Sequence, residues 1–82
     1  LLYNRLGIAL RRQKKFQEAL AYYAKAIQID PQNENLYYNL GRAYFEAGDR
    51  NRSIGAIKKA LQLYPEFEEA RAFLNKLTKG AV

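Results

Sequence analysis

Residues 37–44, Tyr-Tyr-Asn-Leu-Gly-Arg-Ala-Tyr, have a counterpart 34 positions upstream in residues 3–10, Tyr-Asn-Arg-Leu-Gly-Ile-Ala-Leu. Tyr3 pairs with Tyr37, Leu6 with Leu40, Gly7 with Gly41, and Leu10 stands where Tyr44 stands. The same offset continues through Ala19 and Ser53, Tyr23 and Ile57, Ala26 and Ala60, and Pro31 and Pro65. Matched glycines and matched prolines in one register define a period of 34 residues. A unit of that length cannot bury its apolar face alone, so the chain is constrained to a stacked array of supersecondary units.

The units read as helices. Tyr37, Leu40, Gly41 and Tyr44 fall at i, i+3, i+4 and i+7, which is one face of a helix. Asn35, Tyr38, Arg42 and Phe45 form a second stripe at the same spacing. Two patterned stripes imply contact on two sides, one a packed seam and one a surface open to a partner. Gly41 within a helix costs about 1 kcal/mol relative to Ala, which suggests that another helix crosses there and needs the missing Cβ.

The pattern predicts helices over about 1–12, 16–29, 34–46, 50–63 and 67–79. Pro31 and Pro65 stop the second and fourth, because proline lacks the amide donor and restricts the residue before it. Asn33 and Asp49 are the expected N-caps of the third and fourth helices. Gly48 is expected to end the third. Gly55 either weakens the fourth helix or permits a close contact. The fifth helix carries Ala70, Phe73, Leu74 and Leu77 as its apolar face. Where the third helix has Tyr37, Gly41, Tyr44 and Phe45, it has Arg71, Asn75, Thr78 and Lys79. A polar outer face is what the terminal helix of a repeat array needs.

These residues make the chain resemble the tetratricopeptide repeat family, whose pattern is an aromatic, Leu-Gly, Tyr, a small residue, an aromatic, Ala and Pro. The first copy is Tyr3, Leu6, Gly7, Leu10, Ala19, Tyr23, Ala26 and Pro31. The second is Tyr37, Leu40, Gly41, Tyr44, Ser53, Ile57, Ala60 and Pro65. Leu10, Ser53 and Ile57 depart from the pattern, as does Arg50 where Phe16 stands one repeat earlier. The resemblance implies an all-α fold: antiparallel helix-turn-helix repeats stacked as a short right-handed α-solenoid. As one domain, 1–82, it would comprise repeats at about 1–33 and 34–67 and a capping helix at about 68–79.

The resemblance also implies a function: holding a partner peptide or helix in a concave groove. The family's ligand-facing positions carry over to Asn4, Ile8 and Arg11 in the first repeat. In the second they are Asn35, Tyr38, Asn39, Arg42, Phe45 and Glu46, and in the fifth helix Glu69, Ala72 and Lys76. Amide, aromatic and charged side chains together suit an extended peptide. Family members that grip acidic chaperone tails use a carboxylate clamp of Lys, Asn, Asn, Lys and Arg. Set against it, Asn4, Ile8, Asn39, Glu69 and Phe73 match only at Asn39, which argues against that ligand.

Composition narrows the chemistry. The chain has no cysteine and no histidine. Disulfides, zinc fingers and thiol catalysis are therefore excluded, and the commonest general base and metal ligand are missing. Glu66, Glu68 and Glu69 open the fifth helix, where carboxylates complement the macrodipole. No catalytic residue, metal site or cofactor is expected. No apolar run of transmembrane length is present.

The net charge is +6. Residues 1–29 hold six basic residues against the one acid Glu18, concentrated in Arg11-Arg12-Gln13-Lys14-Lys15. That run reads as a solvated turn. The chain begins without Met, inside its first helix, and is expected to be a piece of a longer protein; its localisation is left open. Competing readings are a structural spacer, self-association through the apolar first helix (Leu1, Leu2 and Ile8), and, last, RNA binding.

Overall fold

The computed structural model describes residues 2–79. Among them are five helices: α1 (Leu2–Arg12), α2 (Phe16–Ile29), α3 (Glu34–Glu46), α4 (Arg50–Leu63) and α5 (Glu68–Lys79). All five match the sequence-based ranges within a residue, although the expected start at Leu1 lies outside the described residues; the fifth begins at Glu68, one after the expected Phe67. Phe67 occupies the cap position, accepting the Arg71 N–H at 3.0 Å while its ring is buried. Its apolar side chain made it look helical, but burial holds it in place, not helical geometry.

The helix ends explain the boundaries. The Asn33 carboxamide oxygen accepts from the Asn35 N–H at 3.0 Å, and the Asp49 carboxylate from the Arg52 N–H at 3.1 Å. Both expected caps are therefore made. Gly48 closes α3 at φ +90°, with the Asp49 N–H reaching back to the Tyr44 carbonyl at 2.9 Å. The α1–α2 turn repeats this geometry, with the Lys15 N–H on the Leu10 carbonyl at 2.8 Å. Here Lys14 takes the left-handed position at φ +65°, and Lys15 gives α2 no side-chain cap. The basic run thus replaces both residues that make the sister turn favourable.

Each helix packs on the next, and α1 also touches α3. This is a helical repeat solenoid, measuring 35 × 25 × 16 Å. One core cluster gathers Ala19, Tyr23 and Ala43, with Ile8, Leu10, Leu20 and Leu40 against it. The other gathers Ile57, Ala60, Phe67, Ala70 and Leu77, with Tyr37, Tyr38, Phe73 and Leu74 among its flanks.

The repeated glycines sit where helices meet. A Cβ on Gly7 would lie 2.6 Å from the Tyr23 ring, and one on Gly41 would lie 2.5 Å from Ile57 Cδ1. At the second crossing the buried Ser53 hydroxyl donates to the Gly41 carbonyl at 2.7 Å. Ser53 therefore adds a bond between α3 and α4 that the family's alanine lacks. Gly55 faces open space, so of its two readings only the weakening of the helix holds.

The two ends of the array differ. Arg71, Asn75, Thr78 and Lys79 are exposed on α5, as expected of a terminal face. On α1, Leu2 is 68% and Leu6 37% exposed, and Ala9 is open as well. Their counterparts on α3 are covered: Leu36 and Ala43 are buried and Leu40 packs on the first cluster. Ile8, expected on this bare face, packs instead into the core. Leu1 lies outside the described residues.

Candidate functional site

The second stripe of α3 lies between two helices and is held differently on each side. Toward α1 the ties are polar. The Asn39 amide donates to the Asn4 carboxamide oxygen at 2.9 Å, and Arg11 Nη1 donates to Glu46 Oε2 at 2.9 Å. Both ties span 35 residues, and on each helix they sit seven residues apart, two turns along. Ile8 fills the space between them and contributes to the core. Sequence reasoning placed Asn4, Ile8, Arg11, Asn39 and Glu46 on one surface, and the structure brings them together. It pairs the four polar ones with each other.

Toward α5 the ties are aromatic. Tyr38 packs on Phe67, with ring centroids 5.1 Å apart, and edge-on against Phe73 at 6.1 Å. Phe45 meets Phe73 edge-on at 5.5 Å. Offset and edge-on contacts of this kind are favourable beyond the area they bury. Tyr38 is half-buried by them, whereas Phe45 keeps 37% of its surface open. Tyr38 is therefore first a packing residue, and Phe45 retains accessible aromatic surface.

Arg42 stands between the two halves. Its guanidinium lies 5.9 Å from the Tyr38 ring centroid, within cation–π range. Among the described residues it has no carboxylate within ion-pairing distance and no hydrogen bond. The residue as a whole is half-buried, and its guanidinium donors are free to meet an acceptor.

Beneath it, Tyr23 is fully buried, and its hydroxyl has no hydrogen-bond partner. Burial pushes the pKa of this hydroxyl above the ordinary tyrosine value. The neighbouring Arg11 and Arg42 guanidinium groups pull it back, while Glu46 adds to the rise. Arg11 lies near enough to act on the hydroxyl, yet makes no hydrogen bond to it. Sequence reasoning assigned Tyr23 to packing alone. Its register at a helix crossing gave no sign that the oxygen would end among charges.

The remaining candidates are Asn35, Glu69, Ala72 and Lys76, all exposed. The 34-residue offset carries Asn4 and Ile8 to Tyr38 and Arg42, and then to Ala72 and Lys76. Glu69 and Phe73, the offset counterparts of Asn35 and Asn39, supply no cation to a carboxylate clamp, and Phe73 is packed against α3.

A cavity of about 760 Å³ lies off this face, around the turn from Ala47 to Arg52 and along Gln17 and Leu20 of α2. A smaller one, about 450 Å³, is lined by Leu2, Tyr3, Ala26, Ile29 and Leu36. Among the described residues no group of acidic, histidine or cysteine side chains could hold a metal ion, and no helix is long and apolar enough to cross a membrane.

The five stacked helices, with crossings repeated at a 34-residue offset, define a helical-repeat protein. The chain belongs to the tetratricopeptide repeat family, whose pattern matches residues 10–77. It is 36% identical over 58 residues to stress-induced-phosphoprotein 1 of Caenorhabditis elegans, covering 71% of this chain and 18% of that protein. It is 34% identical over 65 residues to a protein O-mannosyl-transferase of Drosophila melanogaster, covering 79% of this chain and 7% of that protein. Tetratricopeptide repeat protein 16 of Homo sapiens is 30% identical over 77 residues, covering 94% of this chain and 9% of that protein. The chain thus spans less than a fifth of each of these relatives.

Proposed function

We propose that this chain is a protein–protein interaction module that holds a partner peptide or helix along the face formed by α1, α3 and α5. Modules of this family generally serve protein–protein interaction or scaffolding. The observation that carries the reading is the unpaired, half-buried Arg42 set between polar and aromatic surface on α3. Asn35, Phe45, Ala72 and Lys76 offer further accessible contacts along it. In this reading the repeats at about 1–33 and 34–67 and the capping helix at 68–79 act as one domain. The domain has no chemistry of its own; the transferase among its relatives is matched over only 7% of its length. Peptides selected from a random library against the chain test it. Binders should perturb backbone amide signals of residues 35–46, and binders that perturb only other helices would refute it.

A second reading, self-association through α1, rests on a separate observation. The α1 residues Leu2, Leu6 and Ala9 are open, whereas Leu36, Leu40 and Ala43, at the same register on α3, are covered. Contiguous exposed apolar surface of this kind favours an interface. RNA binding ranks below both, and would announce itself by a steep loss of affinity with salt.

A further inference from the structure

The α1–α3 seam holds more hydrogen-bond donors than acceptors. Arg11, 12% exposed, is satisfied by Glu46 at 2.9 Å. Arg42 has no partner among the described residues, and the buried Tyr23 hydroxyl proton has no acceptor. Glu46 is taken up by Arg11, and the Arg42 guanidinium is left without a carboxylate. The Arg42 nitrogens stay open to solvent, since the Tyr23 hydroxyl is the one buried side-chain polar atom without a partner among the described residues, so an anionic oxygen group can reach them.

The feature belongs to this seam alone. At the 34-residue offset, Arg11 becomes Phe45 and Tyr23 becomes Ile57. The next seam, between α3 and α5, is accordingly aromatic, through Tyr38, Phe45 and Phe73. The face thus changes from anion-seeking to apolar across α3, with Arg42 at the boundary and Phe45 one turn beyond it.

The spacing of these two residues selects a ligand. Side chains at i and i+3 of a helix are about 5–6 Å apart at Cβ. In an extended peptide, residues i and i+2 point the same way about 6.6 Å apart. We propose that the face recognises an extended peptide carrying an acidic side chain two residues from an apolar one. The carboxylate meets Arg42 beside the Arg11–Glu46 pair, and the apolar side chain lies on Phe45. A bidentate carboxylate suits the planar guanidinium already held within cation–π range of Tyr38. This inference rests on the interaction-module reading and gives that reading its ligand class.

The test is a library of capped heptapeptides, random at every position, selected against the full chain. The strongest binder is resynthesised, and its amide-signal perturbation is mapped. The expected result is enrichment of Asp or Glu two positions from Leu, Ile or Phe, with perturbation centred on residues 35–46. Replacing the acid by its amide should weaken binding roughly tenfold, as expected for losing one charge-assisted contact. In the Arg42→Gln chain, whose fold is checked by its unchanged melting temperature, acid and amide peptides should bind alike. Binders that map to α3 with no acid preference, or an acid preference that survives Arg42→Gln, would overturn the ligand class and leave the module reading standing. Binders that avoid α3 altogether would overturn both.

Discussion

Three glycines in three helices give a graded test of how closely the helices approach. Replacing Gly by Ala within a helix gains about 1 kcal/mol in propensity at each site. Their surroundings then separate them. At Gly55 nothing lies within 4 Å of an added Cβ, so Gly55→Ala should keep the whole gain. At Gly41 the Cβ would sit 2.5 Å from Ile57 Cδ1 and 2.8 Å from its Cγ1, against the 3.5–4.0 Å of a comfortable carbon contact. Ile57 is fully buried, and the Ser53 carbonyl at 3.3 Å limits retreat the other way. Overpacking of this kind costs about 1–3 kcal/mol, so the net change runs from about zero to 2 kcal/mol destabilising.

At Gly7 three ring atoms of Tyr23 lie within 2.9 Å. A buried ring moves as a rigid plate, so Gly7→Ala belongs at the upper end of that range. For a chain of this size each kcal/mol moves the melting temperature by about 4–8 °C. Thermal unfolding followed by circular dichroism should therefore rank Gly55→Ala above the parent chain and Gly7→Ala lowest. Gly41→Leu, which adds three more carbons, should fall below Gly41→Ala. If Gly41→Ala and Gly55→Ala raise the melting temperature equally, the close crossing of α3 and α4 is refuted.

The α1–α2 turn should be improvable by copying its sister: Lys14→Gly removes a left-handed non-glycine residue, and Lys15→Asp supplies the missing cap. Each is expected to add about 1 kcal/mol, read as a higher denaturation midpoint. Tyr23→Phe should leave stability unchanged or raise it by about 1 kcal/mol, since it deletes a buried hydroxyl that bonds to nothing. The raised Tyr23 pKa has a stated sign: its contribution is intact below the ordinary value of about 10 and is lost as pH rises through the higher folded value. Tyr23→Phe should thus reduce the alkaline loss of stability, and an identical alkaline profile would show that Tyr23 does not cause it. Self-association through α1 should strengthen with salt, because six basic residues against one acid in residues 1–29 repel at low ionic strength; a sedimenting monomer at both salt extremes would remove that reading.

The fold was legible because its crossing glycines and helix-ending prolines recur at a fixed offset and its caps carry standard capping residues. Gly7 and Gly41 mark helix crossings, Pro31 and Pro65 follow helix ends, and Asn33 and Asp49 begin helices, all at positions a linear pattern can carry. Phe67 was misjudged by one residue, because burial and helicity leave the same apolar signature in a sequence. The candidate face was legible only as a set of positions. That Asn4 would meet Asn39, and Arg11 would meet Glu46, depends on side-chain reach across two helices, which no periodicity encodes.

The aromatic half shows why. Phe67 and Phe73, which bury Tyr38 and lean on Phe45, stand at the offsets of Asn33 and Asn39, so the repeat gives no warning of them. A residue that breaks the period is invisible to a reading built on the period, and in this chain such residues decide which part of the face remains open. Arg42 stays without an acceptor because Glu46 is taken by Arg11, while its guanidinium lies within cation–π range of the Tyr38 ring that Phe67 and Phe73 pack. Where the copies differ, in the ties made by Tyr38, Asn39, Phe45 and Glu46, the differences converge on α3.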